Sequence, residues 1–138
     1  MRPDDAAVLV QYRLEQARVA LADAKYLLDG DRSPQSIVNR SYYAMFYALL
    51  ALLQKRGKIP SKHTGVIGLF DTEFVVPGIL PRELSRDLHK AFELRQVSDY
   101  KASQPLTRAK AEEALANATR FVEALTARLS TASDAGRG

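Results

Sequence analysis

Hydrophobic positions recur along this chain at alternating steps of four and three residues. Val10, Leu14, Ala17, Leu21, Ala24 and Leu28 form one such series, which an α-helix gathers onto a single face. The series predicts a first helix from about Asp4 to Asp29, capped by Asp4 or Asp5 and ended by Gly30. Ser33-Pro34 then reads as an N-cap followed by proline at the first helical position. It predicts a second helix to about Arg56, stopped by Gly57. The middle of that helix, YYAMFYALLALL, is apolar nearly all round. Such a helix belongs in the centre of a core or against a partner subunit.

Ser61 is a cap for a short third helix from Lys62 to about Glu73, and Pro77-Gly78 marks a turn. Pro81 opens a fourth helix to about Ser98, with Leu84, Leu88 and Ala91 as its stripe and Phe92 widening it. Tyr100 to Pro105 reads as a loop. Ala111, Leu115, Ala118, Val122, Leu125 and Leu129 predict a fifth helix from about Leu106 to Ser130. The small, polar tail at 131–138 is expected to be disordered. No alternating strand pattern or internal repeat interrupts this order. The expectation is an all-α fold: an up-and-down bundle of four long helices plus a short connector helix, in one domain over residues 1–130.

Composition narrows the chemistry. The absence of cysteine excludes disulfides, thiolate metal sites and a cysteine nucleophile, and it fits a reducing cytoplasm. Two histidines, His63 and His89, are too few for a self-contained zinc site, so no metal is expected. No glycine-rich phosphate loop or paired-histidine helix is present, and no cofactor is expected. The N-terminal MRPDDAAV lacks the apolar core of a leader. The longest apolar run, Tyr42 to Leu53, falls short of the roughly 20 residues that span a bilayer. A cytoplasmic protein without membrane contact is therefore expected.

The net charge of +4 is unevenly spread: no acidic residue lies between Asp31 and Asp71, a stretch that holds Arg32, Arg40, Lys55, Arg56, Lys58 and Lys62. This local excess attracts phosphates or an acidic partner, unless it is simply a solvated basic edge. Lys58, Lys62 and His63 make a candidate phosphate-binding corner at the start of the third helix, with helix capping as the plain alternative. Asn39 and Arg40 are candidates for lining a polar cleft. Tyr42, Tyr43, Phe46 and Tyr47 read first as core or interface packing and second as base-stacking rings. On the fourth helix the stripe Leu84, Leu88, Ala91 ends in Arg95, with Asp99 one turn on. An arginine there pairs with a carboxylate or holds a phosphate in a bidentate contact. His89 reads as a surface residue.

The sequences NRSYYAMFYALLALL, SKHTGVIGLF and LRQVSDY, in that order, resemble the stand-alone branch of the HEPN family over about Val10 to Leu125. The resemblance implies a helical bundle that dimerises, and a toxin that cuts RNA beside a nucleotidyltransferase antitoxin. The family's nuclease motif is an arginine, four to six residues, then a histidine, with two copies forming one composite site. On that pattern Arg95 is the phosphate-orienting arginine. Tyr100 stands where the histidine is expected, and no histidine lies downstream of His89. Arg95, Asp99 and Tyr100 are thus the candidate catalytic residues, and Asn39, Arg40, Lys58, Lys62 and His63 the candidate RNA- or nucleotide-binding ones. Two functions follow: an RNA-directed, toxin-like homodimer with ribonuclease activity, or an inactive HEPN module that binds or joins a partner.

Overall fold

In a computed structural model, which describes residues 2–58, 63–100 and 106–135 and omits the side chains at 3, 63–64, 97–100 and 131–135, the first helix, α1 (Pro3–Asp29), starts on proline. Pro3 costs the helix nothing there, because the first N–H groups have no intrahelical partner. Arg2 holds the N-cap position in extended backbone without a side-chain cap. The expected Asp4 or Asp5 cap is therefore replaced: both lie in the first turn, where their charge favours the helix dipole. At the other end Gly30 keeps a negative φ, and Asp31 takes the left-handed conformation at φ 54°. The N–H of Arg32 reaches Leu27 O at 2.9 Å and that of Asp31 reaches Leu28 O at 3.0 Å, the pairing of a Schellman stop.

Helix α2 (Pro34–Lys55) follows the expected pattern. The Ser33 hydroxyl accepts from the Ser36 N–H at 3.3 Å. Gly57 takes φ 76°, and the Lys58 N–H closes on Leu53 O at 2.9 Å. α2 packs against α1, α4 and α5 and is the centre of the bundle. Tyr42, Ala44, Met45, Ala48, Leu49, Ala51, Leu52 and Leu53 are all buried within the single chain. The apolar run is thus absorbed by the protein's own core and does not by itself require a second subunit. A smaller cluster joins Ile37 and Val38 to Leu106, Ala111 and Ala114 at the other end.

The connector departs from a plain helix. α3 (His63–Phe70) widens into a π turn over Asp71–Val75, with the Val76 N–H bonded to Asp71 O at 2.8 Å. Two contacts account for it. The Asp71 carboxylate is drawn to α4, accepting from Ser85 Oγ at 2.6 Å and meeting His89 Nε2 at 2.7 Å. The wider turn also carries Phe74 into the core, stacked on Phe70, which packs on Phe121. His89, expected as a plain surface residue, is half exposed and ties α4 to this turn.

α4 (Arg82–Tyr100) runs past the expected end at Ser98, so its last residue is helical where a loop was expected. α5 (Arg108–Ala135) begins after Thr107, whose hydroxyl accepts from the Lys110 N–H at 3.2 Å. Leu106 precedes the helix as a buried anchor. α5 continues beyond Ser130 to Ala135, so residues 131–135 of the expected disordered tail are helical in backbone. No glycine or proline interrupts the sequence before Gly136. Arg108 then ties the start of α5 to the end of α1: its guanidinium donates to Leu28 O at 3.2 Å and to Asp31 Oδ1 at 2.8 Å. The result is the all-α bundle expected from the periodicity.

Candidate functional site: an arginine and tyrosine cluster on α2 and α4

The apolar stripe of α4 sinks Leu84, Leu88 and Ala91 into the core and surfaces at Arg95. Half-buried, Arg95 lays its guanidinium carbon 5.2 Å from the Tyr42 ring centre and 5.3 Å from that of Tyr43. Its Nη2 also donates to the Tyr43 hydroxyl at 3.3 Å. Cation–π contact of this kind helps hold a guanidinium in place.

A second guanidinium uses the same ring. Arg40 lies 5.2 Å from the Tyr43 centre. Its Nε and Nη2 are both held by Asn39 Oδ1, at 3.2 and 3.0 Å. The two arginines therefore converge on one tyrosine, at the edge of a half-buried aromatic ridge. Tyr43 lies 6.2 Å from Phe46 and 6.0 Å from Tyr47, centre to centre. Beneath it Tyr42 is buried, and burial pushes its hydroxyl up to about 12, against a smaller opposing pull from Arg95. That hydroxyl stays protonated at neutral pH and is not a base there. The arrangement places two planar cations and several aromatic rings in one local cluster, residue types that suit anions and bases.

Of the expected site residues, the structure brings Asn39, Arg40 and Arg95 together around Tyr43. Lys58 is elsewhere. It lies beyond the far end of α2, some 20 Å from Tyr43 at 1.5 Å per helical residue, and pairs with Glu73 at 3.7 Å, as does Arg56. Glu73 thus offsets part of the basic stretch. Lys62 and the side chains of His63, Asp99 and Tyr100 lie outside the described residues. In backbone, His63 opens α3, and Asp99 and Tyr100 form the last turn of α4. Tyr43, read from sequence mainly as packing, is the residue that joins the two arginines. The clue was present in its spacing, one turn after Asn39-Arg40 on the same helix.

These features define a helical bundle in which an arginine of its fourth helix and one of its second meet on a tyrosine of the second. The HEPN domain model matches residues 10–129, and the chain belongs to the HEPN family. A "UPF0332 protein" of Thermotoga maritima is 44% identical over 92 residues, 67% of this chain and 69% of that one. A protein of Methanocaldococcus jannaschii named "Putative toxin MJ0605" is 34% identical over 114 residues, covering 83% of this chain and 84% of its own. The crystal structure of TT1696 from Thermus thermophilus superposes with a TM-score of 0.72 at 22% identity, over 85% of this chain and 95% of that one. That likeness bears on the fold alone. Among the described residues no helix is long and apolar enough to cross a membrane.

Proposed function

We propose that this protein is a toxin-type HEPN protein directed at RNA, gripping a phosphate of the strand between Arg95 and Arg40. The observation that carries the reading is the shared platform: both guanidiniums sit just over 5 Å from the ring centre of Tyr43. Two fork-shaped donors beside an aromatic ridge match a backbone phosphate with an unstacked base next to it. The resemblance to relatives named as toxins supports the same direction. In the ribonuclease form of this reading a second copy completes the site. Arg95 then stabilises the phosphate charge as the RNA 2′-hydroxyl attacks, and Tyr100, with Asp99, handles the proton. A nucleotidyltransferase antitoxin is the partner proposed to restrain it.

The test is RNA binding and product analysis on purified protein. Replacing Arg95 with alanine removes a charge-assisted contact, so binding of a short single-stranded RNA is expected to weaken about 10- to 100-fold. Arg40→Ala is expected to weaken it as well. Affinity unchanged in the double variant rules the arginine pair out as the RNA site. Product analysis separates a second reading, an assembly module that binds without turnover, which the tyrosine at position 100 favours. RNA cleavage lost in Tyr100→Phe supports the enzyme. Tight binding with intact RNA supports the module.

A further inference from the structure

The first half of α1 and the last turns of α2 and α5 enclose a groove of about 500 Å³. Ala6 and Ala7 help to leave it open, because each brings only a methyl group to its wall. Its floor is the edge of the core: Val10, Leu14 and Leu129 line it and are otherwise buried. The charge on its walls has one sign. Arg18 and Lys55 line the groove, and no carboxylate does so among the described residues. Arg18 meets Glu15 at 3.1 Å, with both side chains more than half exposed. A solvent-exposed pair of this kind is weak and gives way to a better-placed anion.

We propose that this groove binds a small amphiphilic anion, with a carboxylate or phosphate head at Arg18 and Lys55 and an apolar body laid over Val10, Leu14 and Leu129. The walls select the class. A wholly polar anion would leave the apolar floor uncovered. A neutral apolar molecule would leave two cations unmatched, and a cationic one would meet like charge with no acid in the walls to offset it. The volume falls in the range of small-molecule sites, roughly 300–1,000 Å³. A second groove, of about 320 Å³ between α4 and α5, shows the contrast. Asp87, Glu93 and Glu113 line it beside Lys90 and Lys110, and Lys90 is bound to Glu113. Charge of both signs there selects no ligand. The proposed site also stands apart from the arginine pair. Lys55 lies fifteen residues beyond Arg40 on α2, roughly 22 Å along the helix axis at 1.5 Å per residue. The inference is therefore independent of the RNA reading.

Titration of the full chain with octanoate, octyl phosphate, octanol and octylamine tests the proposal, followed by amide NMR and thermal unfolding. Octanoate, octyl phosphate or both are expected to bind saturably, to shift the amides of Ala6, Ala7, Leu129 and Ser130, and to raise the melting temperature. Octanol and octylamine are expected to bind about tenfold more weakly or less. The tighter of the two anions identifies the head. Lengthening the chain from hexanoate to octanoate should tighten binding by up to about fourfold per methylene. Arg18→Gln with Lys55→Gln is expected to weaken the anion about tenfold while helical circular dichroism stays unchanged. Ala7→Trp, at an exposed position, should block the groove and abolish the shifts. Octanol bound as tightly as either anion overturns the proposal. So does an affinity indifferent to the two glutamines, or the absence of saturable binding by both anions. No RNA is present in these measurements, so failure here and failure of the RNA reading are separate results.

Discussion

Tyr42 shows how a single residue can be both core and floor. Its ring packs on Phe46 and Phe92 while its face meets Arg95. Its hydroxyl is raised by burial to about 12, above the ordinary value near 10. A group raised on folding binds its proton more tightly in the native state. Its contribution is therefore complete below about pH 10 and is lost as pH climbs toward about 12. Denaturant midpoints followed from neutral to strongly alkaline pH should fall more steeply for the unsubstituted protein than for Tyr42→Phe. Parallel curves would show that the hydroxyl is not shielded as described. The candidate site was only partly legible at this scale. Arg95 stood out because it ends an apolar stripe, and Asn39-Arg40 because they precede an apolar run. Tyr43 did not, since a ring inside YYAMFYALLALL looks like any other core ring until its neighbours in space are known. The Asp71, Ser85 and His89 cluster was equally invisible, joining residues 14 and 18 positions apart across two elements.

At the scale of elements, an end was legible where a local signal marked it. Ser33-Pro34 and Gly57 declared the limits of α2 because each has a local physical cause. The π turn after α3 was not declared, because its cause lies on α4. Two glycines make the local rule testable. A methyl group added at Gly57 or at Gly68 meets nothing within 4 Å, so space does not distinguish them. Backbone does. Gly57 has φ +76°, where an L-residue is strained, and Gly57→Ala is expected to cost about 1–2 kcal/mol. Gly68 lies inside the helical α3, where alanine is the better helix former, and Gly68→Ala is expected to add about 0.5–1 kcal/mol. Thermal unfolding of the two variants should shift in opposite directions. A shared sign would mean that one of the two backbone conformations is misassigned.

At the scale of the whole molecule, the bundle was legible from periodicity alone, while the use of its surfaces was not. The sequence pointed to the Tyr42–Leu53 run as either the centre of the core or a face for a partner. The structure encloses most of that run and leaves a different strip open, Val8, Tyr12, Val19 and Tyr26 on the outside of α1. The reason is physical: an all-round apolar helix has an obvious claim on the core, whereas a second, sparser series on α1 is hard to separate from ordinary surface until the first is placed. The same enclosure makes the fold depend on its last element. Phe121, Val122 and Leu125 of α5 join the core cluster that surrounds α2. A chain cut after Tyr100 is therefore expected to lose the cooperative thermal transition of the full protein and to bind a hydrophobic dye. Native-like melting of that fragment would show that α1 to α4 suffice.

The central place of α2 also has a consequence in time. Its helix is made early and its last cover is made at the end, so a nascent chain carries an open apolar groove until α5 has left the ribosome. Through that interval the protein is adhesive in the manner of a folding intermediate. How much of it reaches the folded state then depends on how quickly the final helix is delivered and on what shelters the groove until it arrives.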